Sequence, residues 1–442
     1  MFKSSIKKIL PYPIYNILSW IHHPQLKYRK AMRVYHEKKI IKKQPLLHKK
    51  ALEKLHYKQP IKCVFFALFD SVWKCDGMYL IMEESSFFDP IILVCPIINL
   101  GRDNMLQKMD ECYNMFKEKG YNVIKSYDIN NDSYVDVTKE IDPDIIIYTN
   151  PYKGLIDDRY YISNFKDKLT IYMQYYYGAN SDDPAWYNLE MHNLSWRYYV
   201  ETEAHKQFHI TKAKNKGRNV VVTGYPGIEN LLYGKTSKKS EEKRKVIIWA
   251  PHHSIEPVGI VNYSTFLTYA AFMFEMARKY EKEAYFVFKP HPLLRNKLEI
   301  KWGKEKTDKY YHQWENLSNT RMENGDYIHI FNESDAMIHD SASFVAEYLY
   351  TGKPVMRIYD ERTKNSYEGP FWKGCLSVYY KAYNEQDIEQ FIQNVIDGVD
   401  PMKEARERFY QERLLPPNGK LPSENIVNDI IDSIKNQRVL AE

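Results

Sequence analysis

The stretch Asp335–Val355, DAMIHDSASFVAEYLYTGKPV, decides how this chain is read. Ala336 to Ile338 make an apolar strand end, His339 and Asp340 follow it, and Ser341 and Ser343 stand where a helix starts. Phe344 to Tyr350 carry that helix to its stop at Gly352, and Val355 to Ile358 make the next strand. Strand, hydroxyl-rich turn, helix and strand form the unit of a parallel α/β sheet. A helix start offers unpaired N–H groups and the positive end of the dipole, and the small Ser341-Ala342-Ser343 side chains let a phosphate come close. The expectation is a cradle for a nucleotide diphosphate. Ordinary N-capping by Ser341 or Asp340 uses the same residues without any ligand, so the rest of the chain must decide.

Working outward, a regular alternation of strand and helix surrounds this unit. Downstream of residue 245 it predicts strands at Val246–Trp249, Ala284–Lys289, Tyr327–Phe331 and Cys375–Tyr379, and helices at Ser264–Tyr280, Glu385–Val399 and Ser423–Gln437. Upstream it predicts strands at Lys62–Phe69, Ile91–Cys95, Tyr121–Ser126, Ile145–Thr149, Leu169–Gln174 and Asn219–Thr223, with helices at Gly77–Ser85 and Asp103–Lys119. The polar run GKTSKKSEEKRK between the two alternations is a natural hinge. Expected boundaries are therefore a helical extension over 1–60, a first lobe over 61–233, a linker over 234–245, a second lobe over 246–422, and a C-terminal helix over 423–442 that crosses back to the first lobe. Two Rossmann-like parallel-sheet lobes of this kind are a GT-B-like architecture.

Charge separates the extension from the body. Residues 1–60 hold 15 Lys and Arg against only Glu37 and Glu53, although the whole chain carries a net charge of +6, so the remainder is acidic. Ile6, Ile9, Leu10, Ile14, Ile17, Leu18 and Ile21 recur at near-helical spacing, and 26–58 is a second basic helical stretch. Anionic lipid is the expected partner, with packing on the body as the competing reading for the first helix. A nucleic-acid protein would carry a basic body and a recognisable binding motif; neither is present. The five cysteines show no C-x-x-C spacing, which argues against a disulfide framework or a zinc site and for a reducing compartment. No apolar run reaches the ~20 residues of a spanning helix, and no secretory signal is recognised. The expected location is cytoplasmic, peripheral on the inner face of the cell membrane.

Open parallel sheets bind ligands beyond the carboxyl ends of their strands. Three second-lobe strands end in polar clusters there: Trp249-Ala250-Pro251-His252-His253-Ser254, Lys289-Pro290-His291-Pro292, and His339-Asp340-Ser341-Ala342-Ser343. Lys289 can neutralise phosphate, His291 between two prolines can donate to a leaving oxygen, and His252 or His253 can do likewise. Asp142-Pro143-Asp144 precedes a strand instead of following one, so no metal site is indicated. No cofactor is required, though a solution Mg²⁺ ion is compatible with a pyrophosphate donor. The absence of Gly-x-Ser-x-Gly and Gly-x-Gly-x-x-Gly settings disfavours a hydrolase triad and a dinucleotide enzyme.

WAPHHS, FKPHP and DSASFVAEYLYTGKPV, in that order, resemble the second-lobe motifs of the CDP-glycerol glycerophosphotransferases that build teichoic acids and related capsule or lipopolysaccharide polymers. FFALFDSVWKCDGMYLIMEESSFFDPIILVCP is similar to the opening of capsule-type members. The resemblance implies a GT-B transferase in which a CDP-linked glycerol or ribitol phosphate binds the second lobe near Lys289, His291, Ser341 and Ser343. A hydroxyl of a saccharide or lipid-linked polymer would attack the β-phosphorus and expel CMP. The family's presumed first-lobe base is a His-Gly pair, whereas this chain reads Tyr177-Gly178. Tyrosine, with pKa ~10, is a poor base at neutral pH, so either Asp182, Asp183 or a second-lobe histidine takes the proton, or the reaction differs from the family's. Two rival readings keep the fold: a GT-B glycosyltransferase using a nucleotide sugar, and a non-catalytic scaffold of a polymer-assembly complex.

Overall fold

The computed structural model describes residues 12–70, 72–99, 101–178, 183–233, 244–256, 262–325, 327–342, 344–364 and 366–439. The expected phosphate-turn residue Ser343, the candidate base Asp182 and most of the expected linker lie outside these residues.

Two parallel sheets are built one after the other along the chain. The first contains β1 (Ile61–Ala67), β2 (Phe88–Val94), β3 (Val123–Lys125), β4 (Ile145–Tyr148), β5 (Leu169–Met173), β6 (Arg197–Val200) and β7 (Val220–Val222), in the order β3-β2-β1-β4-β5-β6-β7. The second contains β8 (Lys245–Ala250), β9 (Ala284–Phe288), β10 (Thr320–Met322), β11 (Ala336–His339), β12 (Val355–Ile358) and β13 (Tyr380–Ala382), ordered β10-β9-β8-β11-β12-β13. Every ladder within both sheets is parallel. Parallel sheets are covered on both faces, so their strands read as near-continuous apolar runs. Ile145–Tyr148 and Val355–Ile358 are accordingly buried at every position. This is the GT-B-like pair of lobes.

In each sheet the order reverses once, between β1 and β4 and between β8 and β11. That reversal opens a crevice at the strand carboxyl ends, where doubly wound sheets hold their ligands. Ala250 pairs with His339, so the loops carrying His252 and Asp340 leave the second sheet side by side at its crevice.

Several expected elements differ. Tyr327–Phe331 is not a strand: Ile328–Glu333 is a helix, because the polar segment before it already supplies helices Leu294–Trp302 and Lys304–Asn316 and the edge strand β10. Cys375–Tyr379 is not one either. Gly369 and Pro370 start a helix, α12 in chain order (Pro370–Leu376), and β13 follows three residues later. Strand β6 escaped notice because Trp196-Arg197-Tyr198-Tyr199 lacks an aliphatic run; its Arg197 pairs with Asp429 of the last helix at 2.8 Å.

The extension forms one helix, α1 (Tyr12–Lys54), unbroken at its prolines. Its later part packs on the first lobe: Ile41, Gln44, His48 and Ala51 are buried, as is Leu55 just beyond its end, and Gln44 donates to the Lys166 carbonyl. The last helix, Pro422–Val439, also returns to the first lobe, burying Ile426, Ile430 and Ile434 in its core.

Candidate active site

Three loops leave the adjacent strands β9, β8 and β11, and one buried carboxylate ties two of them together. Asp340 has no exposed surface; it accepts hydrogen bonds from the backbone N–H of His252 and from the N–H and hydroxyl of Thr265. Burial raises its pKa to about 6 even though these donors and Arg357 oppose the shift. Asp340 is therefore engaged in holding loops, with its oxygens taken up inside the protein. The β9 loop is attached by main-chain bonds, Lys289 N–H to the Trp249 carbonyl and His291 N–H to the Pro251 carbonyl.

His252, His253 and His291 meet there, each offering one ring nitrogen within 4.8 Å of the others. Three histidines at that spacing suggest a metal, but the far side of each ring decides otherwise. The Ser254 hydroxyl oxygen accepts from the N–H groups of Tyr263 and Ser264, so its own hydrogen goes to His252 Nδ1 at 2.9 Å. His291 Nδ1 accepts from the Leu293 N–H at 3.1 Å, and His253 Nδ1 accepts from Lys297 Nζ at 2.9 Å. In each ring Nδ1 is the acceptor, so in the neutral form Nε2 carries the hydrogen. A metal-bound histidine shows the reverse arrangement, with the outer N–H donating to a carboxylate or carbonyl. These residues fit a hydrogen-bond donor set better than a metal site.

All three rings are held neutral. Burial, then its histidine neighbours and Arg357, lowers the pKa of His252 to about 2; burial, His253 and Lys289 lower His291 to about 3; burial and Lys297 lower His253. Formal positive charge comes instead from Lys289, which is 5% exposed, and from Lys297. Clustered neutral ring N–H donors beside ammonium groups, at the crevice of a doubly wound sheet, are of the chemical kind that can hold phosphate oxygens.

The Ser-Ala-Ser turn contributes less than its sequence promised. The α-helix after it is a single turn, Phe344–Glu347, continued by a 3-10 turn to Thr351, so its dipole is small. The Ser341 carbonyl accepts from Arg357 Nη1 and lies 3.1 Å from His339 Nδ1; Ala342 is partly exposed in the same bend. Arg357, fully buried at the end of β12, is a residue that pattern reading missed. Its signal was a cation inside the apolar run Val355-Met356-Arg357-Ile358.

On the first-lobe side, Tyr177 does not face a substrate space. Its ring stacks on Phe371 of α12, and its hydroxyl lies 3.1 Å from that of Tyr350, which in turn donates to the Leu414 carbonyl. Burial raises its pKa well above the ordinary tyrosine value, so it straps the two lobes together. Gly178 is clamped behind it, its N–H donating to Glu201 and its carbonyl 3.0 Å from His205 Nε2. Asp183 caps a short turn through the Ala185 N–H.

Comparison with known proteins completes the description. Among solved structures, a histidine-to-alanine variant of the wall teichoic acid polymerase TagF superposes with TM-score 0.55 at 14% identity, over 93% of this chain and 97% of that one. The UDP-GlcNAc 2-epimerase of Neisseria meningitidis, solved with UDP-GlcNAc, gives TM-score 0.52 at 15% identity, over 84% of this chain and 99% of that one. At such identities the likeness is one of fold. No curated protein matches the sequence significantly. A family model does: that of the CDP-glycerol:poly(glycerophosphate) glycerophosphotransferases matches residues 167–430. The match spans more than half of the chain and takes in all three histidine-bearing loops, and on it the chain belongs to the CDP-glycerol:poly(glycerophosphate) glycerophosphotransferase family.

Proposed function

We propose that this enzyme moves an alditol phosphate, glycerol or ribitol phosphate, from a CDP-linked donor to a hydroxyl of a growing surface polymer. The observation that carries the proposal for the site is the shared polarity of His252, His253 and His291, three clustered neutral rings whose Nδ1 atoms accept hydrogen bonds and whose Nε2 atoms therefore carry the hydrogen, with Lys289 close enough to act on His291. The donor's pyrophosphate would lie against them. The acceptor oxygen attacks the β-phosphorus as the bond to the CMP oxygen breaks, and CMP leaves with the bonding pair. Negative charge grows on that leaving oxygen and on the equatorial oxygens, where fixed donors and lysine stabilise it more than they stabilise the bound donor. His291 is the leading candidate to face the leaving oxygen; Ser341 and Ala342 border the same crevice.

The exposed side of α1 supports a peripheral membrane location on the cytoplasmic face. Lys38, Lys39, Lys42, Lys43, Lys49 and Lys50 are exposed, as are Tyr28, Tyr35 and Leu46, so cationic and apolar groups share a helix whose opposite side is anchored to the first lobe. Among the described residues no helix is long and apolar enough to cross a membrane.

Incubating the protein with CDP-glycerol, CDP-ribitol and a panel of nucleotide sugars, each with a polymer acceptor, tests the chemistry. CMP release with acceptor extension is the expected result. Release of a nucleoside diphosphate from a sugar donor alone would replace this reading by glycosyl transfer. Co-sedimentation with anionic vesicles that weakens at high salt is expected for the membrane contact, and salt-independent binding would contradict it.

A further inference from the structure

We infer that Glu201 is the base that deprotonates the acceptor hydroxyl, taking the place of the histidine that this chain replaces with Tyr177. The inference rests on the transfer reaction proposed above. Glu201 follows β6 directly, at the carboxyl rim of the first sheet, and is 3% exposed. Its Oε1 accepts the Gly178 N–H at 2.7 Å, whereas its Oε2 is buried without a hydrogen-bond partner. His205 Nε2 lies 3.7 Å from Oε2 but is turned to the Gly178 carbonyl. A second acceptor is orphaned beside it: Gln174, at the end of β5, gives its amide nitrogen to Tyr198 and leaves Oε1 unpaired. Both residues line one small cavity with Met173, Gly224 and Tyr225. Native proteins rarely leave two buried acceptors without a donor.

The missing partner is a water-sized group that donates hydrogen, and an alcohol O–H supplies it. Gly178 fixes this arrangement, since a Cβ there would lie 3.2 Å from both Gln174 Oε1 and Glu201 Oε1. His205, beside Glu201, packs on Phe371 of α12, and the next residue of that helix, Trp372, packs on Tyr263, which in turn meets His252. In the step assigned to Glu201, the acceptor O–H gives its proton to Oε2 while its oxygen forms the bond to the β-phosphorus and CMP departs with the electrons of the broken P–O bond. Carboxylate bases contribute factors of ~10²–10⁴ to such steps.

The test uses the full chain, CDP-glycerol and a glycerophosphate-oligomer acceptor. Wild-type CMP release checks the transfer reading; if it is absent, that reading fails independently of Glu201. Glu201→Gln keeps the Gly178 contact, so CDP affinity is expected to stay within about threefold while transfer falls by about 100-fold or more. Transfer within threefold of wild type would overturn the assignment and leave the cavity to a structural water. Should Glu201→Gln fail to bind CDP, Gln174→Met decides. A several-fold higher acceptor KM with donor KM unchanged supports the subsite, and an unchanged acceptor KM refutes it.

Discussion

Replacing His291 measures what the donor cluster contributes. Its Nδ1 is occupied by the Leu293 N–H, its Nε2–H is the group left for a phosphate, and its pKa of about 3 keeps it neutral throughout the working range. A hydrogen bond to a charged oxygen contributes about 1.5–3 kcal/mol, a factor of ~10 to ~150. If the oxygen gains charge as CMP departs, the loss falls mainly on kcat. His291→Ala is therefore expected to lower kcat by one to two orders of magnitude and to weaken CDP binding less. Leu293 lies exposed at the start of its helix, so water can replace the lost Nδ1 contact and the fold should not suffer. The amide nitrogen of His291→Gln reaches the Nε2 position and should recover at least half of the loss. His291→Asn places its amide at the Nδ1 position and should not. The assay is CMP release under saturating donor from pH 6 to 8, where the ratio of variant to wild type should stay constant. A ratio that falls below pH 7, or equal deficits in the Gln and Asn variants, would show that His291 acts as an imidazolium or only through packing.

Cobalt titrated into the free protein should develop no tetrahedral absorption band that His291→Ala abolishes; such a band would reverse the assigned ring polarity. Stability should fall as pH drops from 6.5 towards 4. His252, His291, His192 and His48 have folded pKa values of about 2, 3, 3 and 4 against 6.5 when unfolded, so the unfolded chain binds more protons in that window, each group contributing up to ~1.4 kcal/mol per pH unit. Asp340 and Glu347, raised to about 6 and 7, work in the opposite sense, so urea midpoints that do not move between pH 6.5 and 4.5 would mean that the histidines are not buried neutral. Tyr177→Phe keeps the Phe371 stack and loses one hydroxyl contact to Tyr350; a stability loss of ~1 kcal/mol with transfer retained is expected, and a 100-fold loss of transfer would show that the Tyr177 hydroxyl takes part in the reaction.

Much of this was legible in the sequence because parallel strands buried on both faces leave continuous apolar runs. Val64-Phe65-Phe66-Ala67 and Ile145-Ile146-Ile147 could hardly be anything else. Short edge elements were harder. Tyr327–Phe331 and Cys375–Tyr379 are apolar runs that periodicity alone does not assign to strand or helix, and neighbouring elements settled them. The three histidine loops were found because each follows such a strand. Ring polarity was not legible: it depends on Ser254, Leu293 and Lys297, which reach the histidines through the fold, and nothing in WAPHHS or KPHP states which nitrogen bears the hydrogen.

The same limit applies to the first-lobe base. Position along the chain pointed to Tyr177 and its neighbours, since that is where the family's histidine stands. In three dimensions the tyrosine hydroxyl is drawn across to Tyr350, and the backbone of Gly178 is passed to Glu201 and His205 on the next strand and helix. A substitution that turns one side chain from the substrate side into the lobe contact leaves its backbone in place. The group that supports that backbone is the proton acceptor inferred above. Glu201 already spends one oxygen on the Gly178 N–H and holds the other, unpaired, at the carboxyl rim of the sheet, where a doubly wound lobe receives its ligand.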